Sequence, residues 1–209
     1  MASLDMNRLM DNARIKLPGA LDGTLQLELV NVLNDFFAGS NIWKEDLPFQ
    51  VTPTPETYLE DPAAWTYTIV PSQGQINRVL GVVTSKGLPV PVGMSIPGEI
   101  VLARQPSEAD TYTAQVALVL GDQMTKEGYP AFPEWILSKY YNDLLDGLLG
   151  NMMGQLAKPY SNPNLAQYHL KKFRSAVSQA KVEAQHENVY RGQSWRFPQN
   201  FVRRRFRQY

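Results

Sequence analysis

Between about Trp43 and Met124 prolines and glycines recur every few residues, and on both sides of this stretch the apolar residues return at helical spacing. That change of period, from helix to strand and back, restricts the chain more than any other feature. Helices written at its two ends have to meet across whatever the middle forms.

The first side is short. Residues 3–14 place Leu4, Leu9, Met10 and Ala13 roughly on one face, and Leu17-Pro18-Gly19 interrupts them. From Ala20 to Ala38 the residues Leu21, Leu25, Leu29, Val32, Leu33, Phe36 and Phe37 predict an amphipathic helix, with Gly39 just past its end as a left-handed cap. In the punctuated middle the runs Phe49–Thr52, Trp65–Val70, Asn77–Val83, Glu99–Ala103 and Thr111–Leu120 read as strands. The last alternates, with Tyr112, Ala114, Val116, Leu118 and Leu120 on one face. No helix lies between these runs, so the expectation is a small antiparallel sheet or sandwich, with Pro89-Val90-Pro91 and the stretch from Gly93 to Gly98 as edges or loops.

Pro133 and Glu134 suit the first turn of a third helix. Its stripes, Ile136-Tyr140-Leu144-Leu148-Met152-Leu156 and Leu137-Tyr141-Leu145-Leu149-Met153, make so wide an apolar arc that it needs cover on two sides. Gly147, Gly150 and Gly154 permit close backbone approach there. Lys158-Pro159 breaks the pattern, Asn162 offers a cap with Pro163 next, and a fourth helix is predicted from Pro163 to about Tyr190. On it Leu165, His169, Phe173 and Val177 lead into a seam of Ala176, Ala180 and Ala184, which lets another helix come near.

Twenty acidic and twenty basic residues cancel over the 209-residue chain, but not locally. Residues 1–187 hold all twenty acids and fourteen of the bases, a net of −6; the rest carries Arg191, Arg196, Arg203, Arg204, Arg205 and Arg207, a net of +6. An acidic body with a basic end is a pattern of interaction arms. The absence of cysteine rules out disulfides, thiolate metal sites and cysteine nucleophiles, and fits synthesis in a reducing cytoplasm. The first residues lack the basic-then-apolar run of a signal peptide, and no run approaches the roughly eighteen apolar residues of a membrane span. A protein without membrane partners is expected.

Residues that could carry chemistry are few. His169 and His186 lie several turns apart, too far to share a metal, and no thiol or carboxylate cluster completes a site. Asp143 and Asp146, three apart on a helix, can face the same way and hold a divalent ion or share acid–base work; as a polar strip they need no such role. There is no Gly-x-Ser-x-Gly elbow and no phosphate-binding Gly-x-x-x-x-Gly-Lys-Ser/Thr loop. Neither a cofactor nor a catalytic activity is expected.

The arginine-rich end is the more informative feature. Trp195, Phe197, Phe201, Phe206 and Tyr209 are interleaved with its arginines. Charge alone serves to coat nucleic acid, and large apolar side chains left in water would be a liability. Three uses suit the mixture: docking on a protein partner, stacking on single-stranded bases, and folding back on the chain's own helices. Interface composition favours the first.

Several motifs together resemble those of head-to-tail adaptor (connector) proteins of short-tailed bacteriophages. They are Leu17-Pro18-Gly19-Ala20-Leu21-Asp22 leading to Phe36-Phe37, Ile42-Trp43-Lys44-Glu45-Asp46, Gly74 with Arg78-Val79-Leu80-Gly81, and Phe132-Pro133-Glu134-Trp135. Asp143-Leu144-Leu145-Asp146-Gly147, Lys158-Pro159-Tyr160-Ser161, Lys171-Lys172-Phe173-Arg174 and Ala180-Lys181-Val182-Glu183-Ala184 continue the series over most of the chain. These are packing and turn motifs without reactive groups, so the resemblance assigns regions and not catalytic residues.

The resemblance implies a homo-oligomeric ring, commonly of twelve subunits, at the head–tail junction of a virion, assembled in the host cytoplasm. It would join the portal protein to the tail nozzle, with tail fibre proteins as further candidate partners, and pass DNA through its channel as unread cargo. The expected fold is α+β: a discontinuous helical bundle domain (residues 1–42 and 130–191), an inserted small antiparallel β domain (43–129) and an extended C-terminal arm (192–209). The arm, counted from Arg191 through Tyr209, would dock on the portal, and Ala176, Ala180 and Ala184 would pack one subunit's helix on the next. Rival readings are a DNA-binding protein gripping phosphates through the same arm, a different virion ring such as a tail nozzle or head-completion protein, and a small metal-dependent hydrolase built on Asp143 and Asp146.

Overall fold

A computed structural model describes residues 2–53, 65–94, 96–104, 106–120 and 132–186. The protein is mixed α+β, with four helices and two antiparallel sheets among the described residues. Helix α1 spans Ala2–Lys16 and α2 Asp22–Ser40. Seven strands follow: β1 Lys44–Val51, β2 Thr66–Thr68, β3 Gln75–Val83, β4 Pro89–Val90, β5 Val92–Met94, β6 Glu99–Leu102 and β7 Asp110–Val119. Helices α3, Glu134–Met153, and α4, Pro163–His186, complete the order.

The helices from the two ends of the chain do meet. Helix α3 packs on α1, α2 and α4, and α2 packs on α4 as well. The amide of Asn12 in α1 donates to the hydroxyl of Tyr141 in α3 at 2.6 Å. The wide apolar arc of α3 is covered as its breadth requires: Ile136, Leu144, Leu148, Leu149 and Met152 are all fully buried. The stripe ends one turn earlier than its spacing predicts, because α3 stops at Met153 and leaves Leu156 exposed in the turn. Asn162 caps α4 as expected, its side-chain oxygen accepting from the Leu165 amide at 3.2 Å.

Gly39 does not cap α2. The helix continues to Ser40, whose hydroxyl donates to the Phe36 carbonyl at 2.6 Å, and the left-handed residue is Asn41, with φ 53°. Asparagine tolerates that conformation better than most residues with a β-carbon. Gly39 serves inside the helix instead: a Cβ there would stand 2.6 Å from Cγ1 of Val177, so its absence admits α4.

The strands divide between two sheets, ordered β1-β7-β3-β4 and β2-β6-β5. Strand β7 is central in the first, pairing Leu47 with Ala114 on one side and Ile76 with Leu118 on the other. On the face its alternation predicts, Ala114, Val116 and Leu118 are fully buried, but Ala117 on the opposite face is fully buried too. Pro89-Val90 and Val92–Met94 form short edge strands where the sequence pattern allowed edges or loops.

The larger sheet is seated on the helices. Helix α2 packs against β7, and Asn34 in α2 accepts from the Leu120 amide at 2.9 Å. Trp43 fills the corner, with ring centroids 5.3 Å from Phe37 and 6.5 Å from Phe132. Gly74, at φ 69°, passes so near this corner that a Cβ would meet the Val119 carbonyl at 2.6 Å and the Trp43 ring at 2.7 Å. One buried apolar cluster runs without a break from Met6 in α1 to Leu102 in β6 and on to Ala184 in α4.

Candidate functional site

The arm residues Arg191, Trp195, Arg196, Phe197, Phe201, Arg203, Arg204, Arg205, Phe206, Arg207 and Tyr209 lie outside the described residues, as does the predicted last turn of α4 to Tyr190. The root of the arm is described. In the last turns of α4 Lys139 and Tyr140, both from α3, converge on Glu183, the ammonium at 2.6 Å and the phenol through a hydrogen bond it donates. These bonds, that of Lys139 first, hold the Glu183 carboxyl below its ordinary pKa. Burial, reinforced by the same carboxylate, raises the Tyr140 phenol well above its ordinary value. The Lys44 ammonium, at the start of β1, donates to the Ala184 carbonyl at 2.6 Å. A cation at a helix C-terminus also complements the helix dipole.

Ala176, Ala180 and Ala184 are buried inside the chain. The close approach that the seam permits is used within one molecule, since α4 packs on α2 and α3. Gly147 and Gly150 supply the matching gaps in α3: a Cβ on the first would meet Val32 and Phe173, and on the second Leu170, all at 3.0 Å or less. Gly154 instead ends the helix.

A second polar cluster among the described residues also bridges α3 and α4. Asp146 meets Nδ1 of His169 at 2.7 Å, their side chains 17% and 12% exposed, and Lys172 stands 3.8 Å from the other Asp146 oxygen. Asp143 lies on the same strip; burial first, and then the Asp146 charge, raise its carboxyl pKa, with Lys172 opposing. The Lys172 ammonium also lies 4.8 Å from the centre of the Tyr168 ring. Asp146 is thus committed to a histidine and a lysine of the neighbouring helix. Among the described residues no three His, Cys, Asp or Glu side chains are grouped to hold a metal ion.

The sequence reading missed the His169–Asp146 pair. A signal was present: the two residues lie nearly equally far on either side of the Lys158-Pro159 break, so folding the helices antiparallel about that turn brings them level. His186, by contrast, is exposed at the end of α4.

The concavities among the described residues include two open ones. One, of about 520 Å³, opens between α2 and α4 over an apolar floor of Leu170, Phe173 and Val177, with Asp35 and Arg174 in its walls. The other, about 250 Å³, lies between Ile69-Val70, Gly74–Ile76 and Pro97-Gly98. No helix among the described residues is long and apolar enough to cross a membrane. No protein-family model matches the chain, and no curated protein matches it.

Proposed function

We propose that this chain is a structural virion protein, a head-to-tail adaptor that acts by binding its neighbours and carries no catalytic activity. In this reading residues 1–42 and 130–191 form the helical body of one ring subunit, residues 43–129 the inserted β domain, and residues 192–209, with Arg191 at their base, the arm that fastens the ring to the portal. The ring joins the portal to the tail nozzle at the head–tail junction and lets DNA pass without reading it.

The observation that carries the proposal is the division of charge and aromatic residues. All twenty acids lie at or before Glu187, and residues 191–209 combine six arginines with five large aromatic residues. Arginine and aromatic side chains are what buried protein interfaces favour. The root of this segment is firm, since Glu183 and Ala184 are tied to α3 and β1. The adaptor-like motifs spread along the chain supply the identity of the partner.

Deletion of residues 192–209 tests the proposal. The truncated protein should remain folded and soluble and lose attachment to portal-bearing heads; normal attachment would remove the arm from its role. The same arginines favour a second reading, a DNA grip. Neutralising six phosphates would make binding fall with salt at a log–log slope of about −5. Docking led by aromatic residues resists salt, so a titration of arm-dependent binding to duplex DNA and to heads separates the two.

A further inference from the structure

Helices α2 and α3 touch each other, and α1 and α4 each touch both, so α1 and α4 occupy opposite flanks of the bundle. The two flanks differ in shape. On the α4 flank lies the groove floored by Leu170, Phe173 and Val177, and Asp35 and Arg174 stand exposed in its walls. Neither of those two side chains has an ion-pair partner among the described residues. On the α1 flank the solvent face is a ridge in which Arg8, Asp11 and Ile15 follow one another at intervals of three and four residues. Ile15 is 79% exposed, an aliphatic side chain that its own chain leaves almost uncovered.

The geometry points to the α2–α4 groove as the seat for the α1 ridge of a second copy of this chain. The charges are complementary: Asp35 in one wall meets Arg8 of the incoming ridge, and Arg174 in the other meets Asp11, which it would share with Arg14 of the ridge itself. The levels agree as well. Gly19, in the turn three residues past the end of α1, lies beside Pro159 in the α3–α4 turn, so Ile15 sits toward the end of the bundle where α4 begins. A neighbour related by rotation about an axis along the helices therefore brings Ile15 to the level of Leu170, and Asp11 and Arg8 to that of Arg174 and Asp35. Ridge and groove are different surfaces on opposite flanks, so the contact is head-to-tail and repeats from copy to copy, as closure into a ring requires. This deepens the adaptor reading and rests on it for the premise that copies associate.

The chain has no cysteine, which makes the test direct. Lys16 and Lys171 are exposed beside the ridge and the groove without belonging to the proposed contacts. The full chain carrying Lys16→Cys and Lys171→Cys, treated with a short bismaleimide, should give a ladder of dimers, trimers and higher species, and each single variant should stay largely monomeric. On that background Ile15→Asp should remove the ladder. Asp35→Arg should weaken it about tenfold, as a reversed interfacial charge does, and adding Arg8→Asp should restore it. All three substituted residues are exposed, and circular dichroism checks the fold.

A ladder no stronger than that of a Lys16→Cys, Ser85→Cys control would overturn the proposal. So would dimers from a single variant, which mean like faces meeting, or an internal crosslink between Lys171→Cys and Ser194→Cys, which means the chain's own arm fills the groove. The arm deletion reads out the adaptor function independently: heads lost with no ladder condemns this interface alone, and a ladder with attachment unaffected condemns the docking role of the arm.

Discussion

Replacing Gly147 by alanine should destabilise the protein, although in most helix interiors the same change stabilises, by about 1 kcal/mol. At Gly147 the added methyl would stand 2.7 Å from Cγ1 of Val32 and 2.8 and 3.0 Å from two carbons of the Phe173 ring. Both neighbours are buried, so neither can swing into solvent, and α2 and α4 must draw back from α3. Overpacking costs about 1–3 kcal/mol, and contacts this short belong in the upper half of that range. Subtracting the helix-propensity gain leaves a net loss of about 1–2 kcal/mol. In a protein of this size that lowers the melting midpoint by about 2–8 °C. Gly23→Ala is the control: nothing lies within 4 Å of its Cβ position, and the midpoint should stay level or rise. Thermal unfolding of the full chain followed by circular dichroism reads both. A Gly147→Ala protein that melts at or above the wild-type temperature would refute the argument that these three helices meet through the missing side chain.

Asn162→Ala should cost about 1 kcal/mol through loss of the α4 cap, and Asn162→Asp should keep most of that stability; urea midpoints compare them. Because folding lowers the Glu183 carboxyl pKa, its contribution is present above the unfolded value and is lost as pH falls through the folded one. Glu183→Gln should therefore flatten the acid limb of stability against pH, and only modestly, since exposed ion pairs contribute under about 1 kcal/mol. Asp143 runs the other way: folding raises its pKa, so protonation favours the native state. Asp143→Asn should stabilise at neutral pH, and the gain should fade on acidification through the raised pKa; a carboxyl titration by NMR that finds no upward displacement would contradict it.

The helices were the most legible part of the fold. Period and punctuation predict α2, α3 and α4 nearly to their ends, because Pro133, Asn162 and Pro163 act locally. The errors are tertiary. Gly39 after an apolar run looks like a cap, yet Val177, far along the chain, claims the space beside it, and Ser40 and Asn41 close the helix instead. Leu156 fits the stripe by spacing and falls past the end of α3. The five strand runs were readable in place, although β1 starts at Lys44, five residues before the run Phe49–Thr52; their division between two sheets was not, since pairings such as Phe49 with Tyr112 join residues distant in sequence. For the same reason Asp146 is grouped by spacing with Asp143, and His169 stands by itself, until α4 folds back on α3. The alanine seam showed that a helix comes near, and only the packing of α2 and α3 shows which ones.

The bond from Lys44 to the Ala184 carbonyl bolts the exit of α4 to the first rung of a sheet, where Lys44 faces Ala117 of β7. A helix end held only by its own last turn unravels residue by residue under tension. Here traction on the chain beyond His186 loads that rung and, through β7, the α2 layer behind it. The two layers share the strain, so the protein should yield to a pull in one cooperative step and not by gradual fraying.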